Sequence, residues 1–246
     1  EAFFFIIAIA FLSFLMKRNM HEYIFTCKIN NMKIAIIPGR YQPITSGHMK
    51  VIQLAEQECD KVYVVVIGSN SKSPSVKSPI PLEANIKLIK KCVGSNVTVK
   101  TYQIANLDIM GDDIAKDLGL APTHGVSEVK IYCGTDRSTY DSQLKYFNGF
   151  EKDGIDKTKG KKDIFHAEIR EVTRTALDVS GTQVREVINN WYKSKSEVDK
   201  KKFMNLTPVQ IHGDLNEIAE YISAVYSKNE SIFVKIYNEI SDEFQL

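Results

Sequence analysis

Two short segments of this chain carry residue types that suit the chemistry of phosphate esters. The first is Gly39-Arg40-Tyr41-Gln42-Pro43-Ile44-Thr45-Ser46-Gly47-His48, and the second is Ser180-Gly181-Thr182-Gln183-Val184-Arg185. An apolar run, residues 32–37, precedes the first and a helical apolar pattern follows it, so its Gly, Thr and His fall in a strand-to-helix turn. The second segment opens another helix. Helix N-termini present N–H groups without intrahelical partners and the positive end of the macrodipole, a setting that suits phosphate oxygens. Together the two segments read as a grip for a nucleoside triphosphate.

The residue types divide the work. Gly39 lets backbone approach a phosphate closely, and Pro43 stiffens the turn into the helix. Thr45 or Ser46 can cap that helix, and His48, three residues after Thr45, can face the same space. In the second segment Ser180 is the expected N-cap, and Gly181 and Thr182 expose N–H groups. Arg185 lies one turn in, off the apolar stripe Val184, Val187, Ile188 and Trp191, from where it reaches outward. A guanidinium suits phosphate because it is always charged and can donate two parallel hydrogen bonds. Taken singly, each segment has an ordinary reading, a core histidine beside a cap or a capped surface helix. It is the pair that is specific.

The elements that must position these residues follow from periodicity. From residue 32 onward strands and helices alternate, which argues for a parallel sheet flanked by helices. Residues 33–37 and 62–67 are β-rich apolar runs, and His48, Val51, Ile52 and Ala55 between them keep helical spacing. A polar loop, 68–81, is long enough to suggest function. It leads to an expected helix at 82–92, a strand at 97–103, a helix at 106–118, a strand at 129–133 and a helix at 138–147. The lysine-rich stretch 151–162 reads as an exposed connection, 165–172 as a strand, and the remainder from about 198 as a covering helical tail striped by Ile218, Tyr221, Ile222 and Val225.

The chain has 246 residues, 43% of them hydrophobic and 25% charged, values ordinary for one soluble globular domain with a sizeable core. A net charge of +2 gives no broad electrostatic reason for binding along a nucleic acid, so phosphate affinity must be local. Cys27, Cys59, Cys92 and Cys133 show no CxxC spacing and fit free thiols in a reducing cytosol, hence a cytoplasmic protein. His124, His166 and His212 lack mutual spacing for a metal, and no protein metal cluster is evident. The chain begins with Glu1 and an apolar run, 2–15, before Lys17 and Arg18. Such a helix would span about 21 Å, short of a hydrocarbon core of about 30 Å. It reads as the tail of a truncated membrane helix or as an extension upstream of the real start. The second is preferred because Met32 directly begins the first strand pattern, and a signal sequence fits poorly because the basic residues follow the apolar stretch.

On these motifs the chain resembles the nucleotidylyltransferase superfamily, whose H/TxGH and SxTxxR motifs sit on a Rossmann-like sheet. The resemblance covers residues 32 to about 208. GRYQPITSGH is similar to the GRFxPxHxGH opening of nicotinamide-mononucleotide and pantetheine-phosphate adenylyltransferases, with Thr45 in place of the first histidine. The stretch from Gly68-Ser69 through Lys77-Ser78-Pro79-Ile80-Pro81-Leu82-Glu83 is similar to their substrate loop and following helix. Gly134-Thr135-Asp136-Arg137, followed by Lys145-Tyr146-Phe147-Asn148-Gly149, looks closest to the cytidylyltransferase-like proteins of large tailed phages.

The resemblance implies a Rossmann-like, doubly wound parallel sheet with helices on both faces and a helical C-terminal tail. The organisation expected is an N-terminal extension at 1–31, a nucleotidylyltransferase domain at 32–208 and a tail at 209–246. The implied reaction passes a nucleoside monophosphate, AMP in preference to CMP, from ATP or CTP with Mg²⁺ to a phosphorylated small-molecule acceptor. Its implied catalytic residues are His48, Thr45 and Arg185. Gly39, Arg40, Tyr41, Gly47, Gly134, Asp136, Arg137, Ser180, Gly181 and Thr182 make the implied nucleotide-binding set. Lys77 and Lys72 compete for the role of the family's loop lysine, and Asp136 either binds ribose hydroxyls or caps a helix. Nucleic acid is not an expected partner, nor is a membrane unless the N-terminal apolar run is genuine, and the oligomeric state, a homo-oligomer included, stays open. The competing expectation is a nucleotide-binding regulatory module of the same fold that has lost turnover. A class I aminoacyl-tRNA synthetase fragment fits poorly, because there is no KMSKS-type loop and no strong basic face.

Overall fold

A computed structural model describes residues 32–68, 74–104, 106–120, 126–134, 140–149, 151–152, 155–156, 161–173 and 180–244. The N-terminal run 1–31 and the candidates Lys72, Asp136 and Arg137 lie outside the described residues, as does His124. Strand β1 (Lys33–Gly39) leads into helix α1 (Ser46–Glu58), then β2 (Lys61–Ile67), α2 (Leu82–Cys92), β3 (Val97–Tyr102) and α3 (Leu107–Leu118). The chain continues through β4 (Ser127–Gly134), α4 (Asp141–Asn148), β5 (Glu151–Lys152), β6 (Ile155–Asp156) and β7 (Phe165–Val172). It closes with α5 (Gly181–Ser194), α6 (Glu197–Leu206) and α7 (Leu215–Phe244).

The five longer strands form a parallel sheet in the order β3-β2-β1-β4-β7, the Rossmann-like α/β arrangement expected from alternating strand and helix patterns. Strands β2 and β3 pair in parallel from Val62 opposite Val97 to Ile67 opposite Tyr102. Two expectations need correction. The stretch read as an exposed connection contains the antiparallel pair β5 and β6, with Glu151 opposite Asp156, and a 3₁₀ turn at Lys161–Asp163. Two-residue strands are too short to leave a periodic signal. The tail read as helical from about 198 is interrupted: Thr207 donates its hydroxyl to Phe203 O, Pro208 has no N–H to continue the ladder, and a 3₁₀ segment, Val209–Asp214, precedes α7.

The chain gathers into two compact units. One is built from described residues within 32–34, 106–131 and 138–169. Here Asn106 caps α3 by accepting from the Asp108 and Ile109 amides, and Gly119, at φ 63°, ends it in the left-handed conformation that glycine tolerates. At the end of α4 the Asn148 side chain donates to Ala167 O at 2.7 Å and accepts from Ala167 N at 2.6 Å, beside the Phe147–Phe165 ring pair.

The other unit takes its described residues from within 35–105, 132–137 and 170–246 and carries both motifs, 39–48 and 180–185. Its core joins β1 and β2 side chains to Ile52 and Ala55 of α1, Val184, Ile188 and Trp191 of α5, Phe203 of α6, and Leu215, Ile218 and Ile222 of α7. Each fully buried aliphatic side chain contributes about 1.5–3 kcal/mol relative to exposure, so the stripe on α5 holds that helix and the motif at its start in place. At the far end of α1, Tyr132 is buried and donates to Glu58 Oε2 at 2.8 Å, while Arg170 donates to both Glu58 oxygens at 2.9 and 3.3 Å. Burial, then the bonds to Cys59 and Glu58, push the Tyr132 hydroxyl far above the usual tyrosine range, so it stays protonated.

Tyr132→Phe leaves Glu58 paired with Arg170 and should cost about 0.5–1.5 kcal/mol in urea unfolding. Glu58→Leu removes the carboxylate that Tyr132 and Arg170 share, leaving the buried hydroxyl the weaker Cys59 Sγ partner, and should cost more, about 1–3 kcal/mol. The reverse ranking would show that the tyrosine hydroxyl, not the carboxylate, organises this cluster.

Candidate nucleotide site

The first motif folds into a tight turn at the end of β1. Tyr41 takes φ 52°, the left-handed region, and donates its hydroxyl to Ile37 O at 2.6 Å, which sends the chain back over the strand end. A Cβ at Gly39 would come within 2.9 Å of the Tyr41 ring, so glycine there makes room for that ring. Tyr41, expected among the nucleotide contacts, is instead 1% exposed and part of the core, its ring 4.7 Å from that of His48.

Thr45 is the N-cap of α1 and forms a reciprocal capping box with His48. The Thr45 hydroxyl accepts from the His48 amide at 3.3 Å, and the Thr45 amide donates to His48 Nδ1 at 3.0 Å. The Thr45 Oγ1–His48 Nδ1 distance is 2.9 Å. A ring nitrogen that accepts from an amide carries no proton, so the neutral imidazole in this arrangement carries it on Nε2, a donor at the helix start. Ser46, the other candidate cap, donates instead to Leu206 O at 3.2 Å, and Gly47 is the second, half-buried residue of α1.

The second motif meets the first. Ser180 caps α5 by accepting from the Gln183 amide at 3.1 Å, and the Gly181 and Thr182 amides precede the first intrahelical bond. Arg185 does not reach outward as its place off the apolar stripe suggests. It is 7% exposed and folds back over the helix start, donating Nη1–H to Gln42 O at 2.8 Å and Nη2–H to Thr182 Oγ1 at 3.0 Å. A Cβ at Gly181 would lie 3.2 Å from Nη1, so this glycine makes space for the guanidinium as well as exposing its amide.

Burial lowers the Arg185 pKa and the positive charge of Arg40 adds to that shift, while the Tyr226 hydroxyl of α7, by hydrogen bonding, and the negative charge of Glu186 oppose it. The hydrogen-bond partners of this buried cation are a carbonyl and hydroxyls, with no carboxylate bonded to it, and its Nε has no partner among the described residues. A buried guanidinium bonded only to uncharged groups at a helix N-terminus is a setting that suits an anion.

The remaining candidates are placed less closely. Arg40 has an exposed side chain, and its carbonyl accepts from Asn85 Nδ2 at 3.1 Å. Gly134 ends β4. Lys77 is exposed at the tip of a turn closed by paired backbone bonds between Ser75 and Ser78 at 3.2 and 2.9 Å. His166 is exposed on β7, and His212 lies against Phe203 with Nε2 3.2 Å from Thr207 O. Among the described residues no group of His, Cys, Asp and Glu is arranged to hold a metal, and no helix is long and apolar enough to cross a membrane.

Gln42, Asn85 and Tyr226 escaped the motif reading. Gln42 sits inside the first motif, but only the fold shows its side chain pairing with Ile80, 38 residues away.

The profile of the cytidylyltransferase-like family matches residues 36–206. Phosphopantetheine adenylyltransferase from Alkaliphilus oremlandii (strain OhILAs) is 41% identical over 73 residues, 29% of this chain and 44% of that protein. The enzyme of the same name from Clostridium perfringens (strain SM101 / Type A) is 35% identical over 81 residues, 32% of this chain and 47% of that one. The chain thus spans about half the length of the curated relatives it matches. In fold it is similar to a bifunctional NMN adenylyltransferase/ADP ribose pyrophosphatase from Francisella tularensis, solved with AMP and a manganese ion. That likeness has a TM-score of 0.53 at 15% identity over 85% of this chain and 56% of that one. It is similar also to nicotinic acid mononucleotide adenylyltransferase of Plasmodium falciparum, with a TM-score of 0.50 at 10% identity over 78% of this chain and 98% of that one.

Thr45→Val removes the cap acceptor while keeping the side chain's shape, and should cost about 0.5–2 kcal/mol in thermal or urea unfolding. Thr45→Ser should cost a few tenths at most, because Ser caps as well as Thr. Equal losses from the two variants would mean that the methyl packing, not the hydroxyl, sets the start of α1.

Proposed function

The chain belongs to the cytidylyltransferase-like family, and we propose that it transfers AMP from ATP to a phosphorylated small-molecule acceptor with release of pyrophosphate. The observation that carries this reading is the buried Arg185 guanidinium, which has no bonded carboxylate, at the start of α5 and against the turn that holds His48. Such a site takes an extended polyanion. The preference for ATP over CTP rests on the adenylyltransferase names of the relatives.

In the proposed reaction a phosphate oxygen of the acceptor attacks the α-phosphorus of ATP in line. The bond from that phosphorus to the oxygen bridging to the β-phosphate breaks, and pyrophosphate leaves with the bond's electron pair. No covalent enzyme intermediate is needed, so catalysis is positioning plus donors aimed at developing charge. His48 donates Nε2–H to an α-phosphate oxygen as charge builds there. Thr45, its hydroxyl and amide both engaged with residue 48, holds the ring in that tautomer and orientation. Arg185 and the Ser180–Thr182 turn bind the β- and γ-phosphates, with Arg40 and the Gly47 amide as further nucleotide contacts. Gly134, Asp136 and Arg137 are assigned to the nucleoside, and Lys77, with Lys72 as its competitor, to the acceptor phosphate.

The donors described at this site are amides, hydroxyls, an imidazole and guanidinium groups, which suit anions and not a bare cation. Mg²⁺ therefore fits as a companion of the triphosphate, where it neutralises phosphate charge. A binding module without turnover would need Arg185 but not an imidazole held in one tautomer. Among the described residues Cys59, Cys92 and Cys133 form no disulfide, which supports a reducing, cytoplasmic setting.

His48→Ala should lower kcat about 10²–10³-fold with ATP affinity nearly unchanged, the signature of a donor used in the transition state. Arg185→Ala should weaken ATP binding as well as turnover. The measurements are pyrophosphate release with ATP or CTP, Mg²⁺ and a panel including phosphopantetheine and nicotinamide mononucleotide, and calorimetric ATP binding. Unchanged turnover in a folded His48 variant would remove the catalytic role. ATP binding with no pyrophosphate from any acceptor would favour the regulatory module.

A further inference from the structure

Gln42 holds three segments at once. Its side-chain amide donates Nε2–H to Ile80 O at 3.0 Å and accepts the Ile80 amide on Oε1 at 2.9 Å, satisfying both backbone groups of one residue across the turn. Its own carbonyl accepts from Arg185 Nη1 at 2.8 Å. Gln42 and Ile80 are both buried, at 8% and 3% exposure, so these bonds work in a setting where an unmade one is costly. The Asn85 bond to Arg40 O adds a second tie between the same two stretches of chain.

The Gln42 peptide has little freedom of its own. Tyr41 before it is a non-glycine residue in the left-handed region, its hydroxyl fixed on Ile37, and Pro43 after it restricts the backbone of the residue it follows. A displacement of the Gln42 carbonyl therefore carries the side-chain amide with it, and with the amide goes residue 80. Two residues upstream of Ile80 the Ser75–Ser78 pairing closes the short turn that presents Lys77.

Resting on the reading of the site as an ATP-binding centre, we propose that Gln42 is a positioning residue that transmits nucleotide occupancy to the Lys77 turn. Phosphate drawn onto Arg185 changes the pull of its guanidinium on the Gln42 carbonyl, and the paired bonds to Ile80 pass the change to residues 75–80. Coupling of this kind is reciprocal, so an acceptor anion held on Lys77 tightens the triphosphate site in turn. It makes the 75–80 turn the place where acceptor binding senses ATP.

The test is hydrogen exchange of the 75–80 amides in the full chain, with and without MgATP, in the wild type and in Gln42→Met. Methionine keeps the side chain's length and the backbone carbonyl that Arg185 uses, but makes neither bond to Ile80. In the wild type MgATP should slow exchange at Ser78 and Ile80 by about fivefold or more. In Gln42→Met, calorimetric ATP affinity should stay within about threefold while that protection disappears. Gln42→Glu, which can still accept from the Ile80 amide but cannot donate to its carbonyl when ionised, is the second variant and should also lose the protection. ATP-dependent protection that persists in these variants would overturn the proposal, as would its absence from a wild type that binds ATP. A loss of ATP affinity in both variants would also overturn it, making Gln42 part of the nucleotide grip itself. A wild type that binds no nucleotide would overturn the ATP reading and this coupling with it.

Discussion

The bond from the Arg185 guanidinium to the Gln42 carbonyl joins residues 143 positions apart, and the rest of the site depends on it. Without it the chain has two capped helix starts, each with an ordinary structural explanation. With it the starts of α1 and α5 are tied directly to one another. Removing a guanidinium from water is costly by several kcal/mol unless its surroundings compensate. Here the hydrogen-bond partners are uncharged, Arg40 adds a like charge and the charge of Glu186 offsets it in part. The fold sustains the arrangement because the apolar stripe of α5 and the packing of α7 fix the helix that carries Arg185. Gly181 then leaves the space its Nη1 occupies.

The two helix starts use different physical means. At α1 the polar groups satisfy one another: threonine and histidine each give and receive, so that part of the site is ordered without a ligand. At α5 the balance is deliberately incomplete in the electrostatic sense, with a charge buried and a guanidinium N–H left over. The first kind of end orients a donor precisely enough for chemistry, and the second stores affinity for whatever anion completes it. Their common support is the C-terminal end of the sheet, where a parallel α/β fold gathers its helix N-termini.

Much of this was legible in the sequence for definite reasons. Strand and helix periods alternate cleanly from residue 32, so the parallel sheet followed. Thr45 and Ser180 are short polar residues immediately ahead of apolar helical stripes, and both are the caps. Helical spacing aims Arg185 outward whereas the structure turns it inward, since spacing gives the face a residue leaves from and not the direction a long, flexible side chain then takes. Tyr41 was misplaced for a related reason. The resemblance places it in the nucleotide-binding set, yet a left-handed backbone turns it into the core. Gln42 carried no signal, because an amide that pairs with distant backbone looks like any polar residue in a turn. The break at 207–214 could have been found from Pro208, which the helical stripes on either side concealed.

The amide of Asn148 has a consequence beyond its own unit. Strand β7 stands at the edge of the sheet order, and edge strands offer unpaired backbone groups to other chains. Asn148 occupies both the N–H and the C=O of Ala167 near the middle of that edge. A second molecule arriving there finds a residue already bonded as if another strand were present, with Glu168 and Arg170 exposed just beyond it. One side chain at the end of a short helix thus takes up the two backbone groups of Ala167 that an edge strand otherwise leaves open.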